Sequence, residues 1–151
     1  LGSRMQLTGV ECINGYAAAN SDDVATVHYL LKPNGIWKVL DIRPADRELF
    51  LPLKITPGVK FNSTGVKGKI LAVGKTCDLG FQKFTNCLVV SRNYVAVGYE
   101  ETQYYAPGYG IVLTRTGKTT MRKLTAITRM TATETTAFAQ KHTTWREALA
   151  K

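Results

Sequence analysis

"YYAPGYGIVLTRTGK", Tyr104 to Lys118, places two turn signals around one short apolar run. Ala106-Pro107-Gly108-Tyr109 has proline second and glycine third. This is the chemistry of a type II turn, because proline presets φ and glycine accepts the positive φ required after it. From Tyr109 the chain reads as a strand in which Tyr109, Ile111, Leu113 and Arg115 alternate with Gly110, Val112 and Thr114. Thr116-Gly117 then predicts a hairpin into "TTMRKLTAITRM", residues 119–130. A strand bounded by tight glycine turns is the signature of an antiparallel sheet.

The same grammar runs upstream. "ATVHYLLKPNGIWKVLDI" (25–42) predicts a hairpin: a β-branched and aromatic run, the turn Lys32-Pro33-Asn34-Gly35, and a second strand from Ile36 to Ile42. "LFLPLKI", "KGKILAV", "NCLVVSR" and "NYVAVGYE" predict further strands, with Pro52 marking an edge or a bulge. The period changes after Met130. Thr131 and Glu134 have capping-box spacing, and Phe138, His142, Trp145 and Leu149 recur as one stripe of an amphipathic helix. Thr144 and Glu147 offer a second helix start.

The expected fold is therefore mainly β with a C-terminal α-helix (α+β). It is a single curved antiparallel sheet or a partly closed barrel or sandwich. At 151 residues the chain has the length of one domain. Leu1 to Met5 reads as a cloning scar, residues 6–130 as the β domain, and residues 131–151 as a helix packed on it. A hydrophobic content of 44% with 21% charged residues is that of a folded protein. No run approaches the roughly 18 apolar residues of a membrane-spanning helix, and the first residues lack the pattern of a signal peptide.

The formal charge of +9 is uneven. Residues 51–90 hold six lysines against the single acid Asp78. Residues 111–151 hold eight Lys/Arg against Glu134 and Glu147. Such asymmetry steers anionic partners, or simply solvates a surface. The candidate basic face is Lys67, Lys69, Lys83, Arg92, Arg115, Arg122 and Lys123, with Tyr104, Tyr105 and Tyr109 as candidate aromatic contacts. Basic residues interleaved with aromatic ones also suit single-stranded nucleic acid.

Of three cysteines, Cys77 and Cys87 flank a short loop that a disulfide could close, worth about 3 kcal/mol in the chain-entropy model. Two buried reduced thiols fit the sequence equally well. Cys12 is left over. No cysteine or histidine spacing matches a metal site, and no cofactor motif occurs. His28 on a strand and His142 on a helix stripe read as packing residues. Asp22-Asp23 and Glu100-Glu101 are adjacent in sequence, so neither pair makes an acid/base couple on a strand. No catalytic residues are assigned.

"FQKFTNCLVV" (81–90), "ETQYYAPGYGIVLTRTGK" (101–118) and "KLTAI" (123–127) together resemble the closing part of a loose class of bacterial cell-envelope β-sheet domains, many of them lipoproteins of unknown function. The resemblance implies a periplasmic or outer-membrane-anchored location and a non-enzymatic role, with no catalytic residues to carry over. The basic balance and the terminal helix lie outside that pattern. Trp37-x-Val39-x-Asp41-Ile42 separately resembles sheet hairpins of small-ligand or lipid-carrying folds, where it packs. The expected function is a protein-interaction or small apolar-ligand module of the envelope, with nucleic-acid binding as the alternative. Membrane association is expected only through a part of the protein outside these residues.

Overall fold

The computed structural model describes residues 7–9, 16–21, 24–39, 47–63, 65–127 and 131–141. Antiparallel strands dominate them and one short helix follows, so the mainly β class with a C-terminal helix holds. The strands lie in two meandering sheets, one of five strands and one of six. The chain clusters into two compact units, residues 1–53 with 129–151, and residues 54–128.

The first unit holds β1 (Leu7–Gly9), β2 (Tyr16–Ser21), β3 (Val24–Lys32), β4 (Gly35–Val39) and β5 (Arg47–Pro52), adjacent in that order. The β3–β4 hairpin forms as the Pro-Asn-Gly signal predicts, with Lys32 opposite Gly35. Gly35 has φ 143°, and a Cβ there would sit 2.2 Å from the Leu51 carbonyl oxygen, so only glycine fits. Trp37 Nε1–H donates to Asn34 Oδ1 at 2.9 Å, tying the turn to the strand it launches. Pro52 ends the edge strand β5, where its missing N–H costs no ladder bond. Residues 40–46, including Asp41 and Ile42, lie outside the described residues.

Helix α1 (Ala132–Lys141) clusters with this unit. Its capping box is complete: Glu134 N–H donates to Thr131 Oγ1 at 3.2 Å and Thr131 N–H to Glu134 Oε1 at 3.1 Å. These hydrogen bonds favour the carboxylate and hold the Glu134 pKa below its usual value. His142, Trp145, Leu149 and the second capping box lie outside the described residues.

The second unit holds β6 (Lys60–Ser63), β7 (Val66–Asp78), β8 (Lys83–Tyr94), β9 (Tyr99–Ala106), β10 (Gly110–Thr116) and β11 (Thr119–Lys123). The type II turn is present, with Gly108 at φ 80° and Tyr109 N–H donating to the Ala106 carbonyl at 3.0 Å. Two expectations change. "NYVAVGYE" is not a strand of its own: β8 runs on to Tyr94, Val95–Val97 forms a 3-10 turn, and Gly98 at φ 63° starts the return. Alternation along β10 also breaks at a bulge between Ile111 and Leu113, so Val112, Leu113 and Thr114 are all buried.

One small apolar core closes the end of this sheet formed by the β7–β8 and β9–β10 hairpins. Cys77, Leu79, Phe84, Cys87, Ala106, Val112 and Leu113 make it up, with Tyr104, Leu124 and Ile127 packed against it. Further along, Phe61 of β6 lies across Gly68 of β7, where a Cβ would come within 2.3 Å of the Phe61 ring. Gly68→Ala must displace that ring, and we expect a loss of about 1–3 kcal/mol by denaturant unfolding. An unchanged midpoint would show that the ring moves aside freely.

Candidate functional site

The two faces of the six-stranded sheet follow from strand register, because residues directly opposite one another share a face. One row crosses the sheet as Phe61, Gly68, Arg92, Glu101. The next row on that face is Tyr94 opposite Tyr99, and the row on the other side is Ile70, Val90, Gln103, Thr114, Arg122. Arg92, Glu101 and Gln103 are each only 4% exposed.

These buried polar groups satisfy one another. Arg92 Nε–H donates to Gln103 Oε1 at 2.6 Å, and its Nη2 to the Tyr105 hydroxyl at 3.2 Å. The Arg92 guanidinium also lies 5.4 Å from the centroid of the Phe61 ring, a cation–π contact. Glu101 accepts from the Tyr94 hydroxyl at 3.3 Å, the Tyr99 hydroxyl at 3.2 Å and Gln103 Nε2 at 2.5 Å. The Tyr105 hydroxyl donates to Gln103 Oε1, and Thr116 Oγ1 to the Tyr99 hydroxyl at 2.9 Å. Burial, with the Glu101 carboxylate beside it, pushes the Tyr94 phenol up, further favouring the protonated form that donates to Glu101. With its donors and acceptors engaged in this way, the network acts as a structural clamp.

The opposite face reads differently. Its central row is Lys60, Lys69, Ser91, Thr102, Arg115, Thr120, one residue from each of the six strands. The three cations are exposed and the two hydroxyl residues between them are half-buried. At about 4.8 Å per strand, Lys60 and Lys69 are neighbours, and Arg115 lies about 14 Å beyond Lys69. The flanking rows are Asn62, Lys67, Asn93, Glu100 and Val89, Tyr104, Leu113, Lys123. Ser91 Oγ donates to Glu100 Oε1 at 2.9 Å. Arg115 stands over the Tyr104 ring, 5.9 Å from its centroid.

The candidate basic face therefore divides. Lys67, Lys69, Arg115 and Lys123 share the open face, which register extends to Lys60, a residue that linear sequence does not single out. Arg92 and Arg122 lie on the other face, Arg92 buried in the clamp. Lys83 sits at the β7–β8 hairpin opposite Asp78. Among the candidate aromatic contacts, Tyr105 is buried with its hydroxyl committed, Tyr104 is half-buried under Arg115, and Tyr109 is exposed with its ring edge-on to Phe84 at 5.3 Å.

Cys77 and Cys87 are free thiols in the structure rather than the disulfide their spacing allows. Cys87 S–H points to the Phe84 carbonyl oxygen at 3.6 Å. Burial pushes both thiols above their usual pKa, in Cys87 against the opposing effect of the Cys77 N–H near its sulfur. Cys12 lies outside the described residues, and His28 is placed on β3 opposite Val39 and Ala18. Among the described residues, no group of three or more His, Cys, Asp or Glu could hold a metal ion. Comparison with protein families, curated proteins and solved structures gives no match.

Arg92→Ala removes one buried donor each from Gln103 and Tyr105 and leaves the Glu101 carboxylate buried beside the gap, and we expect a loss of about 3 kcal/mol in urea unfolding. Lys69→Ala, on the open face, should stay within about 0.5 kcal/mol of the wild type. Comparable losses in the two variants would contradict this division of the sheet. Because burial keeps both thiols protonated, alkylation of Cys77 and Cys87 at neutral pH should be slow in the native protein and fast in denaturant. Fast native labelling would place them in contact with solvent.

Proposed function

We propose that this chain is a non-enzymatic interaction module of the bacterial cell envelope that docks on an anionic partner through the open face of its second sheet. The observation that carries the reading is the row Lys60, Lys69, Ser91, Thr102, Arg115. It sets cations on either side of hydroxyl donors on a surface whose reverse side is held rigid by the Arg92–Glu101 clamp. Long-range attraction brings an anionic surface to the face, where the lysines, Arg115 and the Thr102 hydroxyl supply directional hydrogen bonds, the Ser91 hydroxyl being given to Glu100. The envelope address is supported by the resemblance of residues 81–90, 101–118 and 123–127.

Nucleic-acid binding is the second reading, favoured by Tyr104 lying in the row beside Arg115. Base stacking there requires the guanidinium to leave the ring it covers. An electrostatic dock on the envelope needs no such rearrangement.

Purified protein mixed with washed bacterial envelopes should co-sediment at low ionic strength and be released by salt. The triple reversal K60E/K69E/R115E should abolish sedimentation while leaving the circular dichroism spectrum unchanged. Absence of sedimentation, or indifference to the reversal, would reject the docking reading. Release by nuclease treatment alone would transfer the function to nucleic acid.

A further inference from the structure

The open face is not uniformly basic. Lys60, Lys67 and Lys69 gather where β6 meets β7, and Arg115 stands on β10, about 14 Å from Lys69 by strand spacing. Between them, β8 and β9 present Ser91, Asn93, Glu100 and Thr102, and none of these is a cation. Glu100 is exposed, and its Oε1 accepts from Ser91 Oγ at 2.9 Å. Arg115 lies over the Tyr104 ring, across Thr102 from Glu100. Among the described residues, no cation pairs with Glu100, and nothing engages the Asn93 carboxamide or the Thr102 hydroxyl. The face thus carries positive charge at two places, with a polar, locally acidic gap between them.

We infer that the anionic partner is an acidic glycan, a chain of sugars whose anionic groups are set apart by neutral, hydroxyl-bearing units. The inference rests on the docking reading above and names its partner. A partner with closely spaced charge, such as an acidic peptide run or a nucleic-acid strand, sets a carboxylate or phosphate in the gap between Lys69 and Arg115. There it meets the Glu100 carboxylate, and like charges set together at an interface reject the partner that brings them. A glycan with spaced charge puts sugar hydroxyls in the gap instead. A hydroxyl both donates and accepts, and the gap answers both needs: Glu100 accepts, Thr102 donates, and the Asn93 carboxamide does either. One anionic group of the glycan then sits among the lysines. The next meets Arg115, whose planar guanidinium takes a carboxylate through two parallel N–H donors.

The test is fluorescence anisotropy of the whole chain with labelled hyaluronan oligosaccharide, which carries a carboxylate on alternate sugars. Poly-L-glutamate, oligothymidylate and uncharged dextran are compared at the same ionic strength. Hyaluronan should bind most tightly and dextran not at all. Lys69→Ala should weaken hyaluronan binding roughly two- to fivefold. Glu100→Gln keeps an acceptor for Ser91 and removes the charge. It should raise affinity for poly-L-glutamate and oligothymidylate several-fold more than for hyaluronan, with unchanged circular dichroism. Wild-type protein that binds poly-L-glutamate or oligothymidylate as tightly as hyaluronan, or a Glu100→Gln variant that gains equally for every polyanion, would overturn the inference. Protein that ignores hyaluronan yet still sediments with washed envelopes, and loses this in K60E/K69E/R115E, would reject the glycan and retain the docking module.

Discussion

The six-stranded sheet depends on one crowded row, Phe61, Gly68, Arg92, Glu101. Glycine at position 68 is the constraint. Without a side chain there, the Phe61 ring can lie across β7 and reach the guanidinium two strands away. The ring covers one side of a charge that is otherwise costly to bury, and Gln103 and Tyr105 accept its hydrogen bonds. Glu101, directly opposite, accepts hydrogen bonds from protein donors in place of water. Each member makes the burial of the next affordable, and none would be stable on that face alone.

Much of the backbone was legible because its signals are local. Pro33-Asn34-Gly35, Pro107-Gly108 and Thr116-Gly117 each constrain φ within a few residues, and each produced the expected turn. The capping box at Thr131 and Glu134 is equally short-range. What could not be read was the side to which a residue points once bulges intervene. Register shifts within the β7–β8 pair, and again in β9–β10 and β10–β11, reset the alternation that a linear reading extends indefinitely. Arg92 therefore looked like one more cation beside Lys67 and Lys69, and Lys60 looked unremarkable. Val95 and Val97 likewise alternate as a strand would, yet the left-handed Gly98 turns them into a tight connection.

The division of faces gives the sheet its functional asymmetry. One side spends its polar groups on itself; the other leaves them to solvent. Basic residues spread through the sequence converge on the open side because β6 to β11 each place one residue in the same transverse row. Charge that looks diffuse along the chain becomes a band some 14 Å between Lys69 and Arg115, by the spacing of adjacent strands.

β6 is short, pairing with β7 only from Val66 to Lys69. Among the described residues, β7 from Leu71 onward therefore has β8 as its sole ladder partner. A long bare rim of this kind usually invites another chain to add a strand, the first step toward fibrils. Here Gly74 in the left-handed region and the repeated breaks in register spoil the straight template that such addition requires, and Lys75 places a charge in its path. A left-handed glycine, broken register and an adjacent charge are the features by which an open rim discourages a further strand from adding to it.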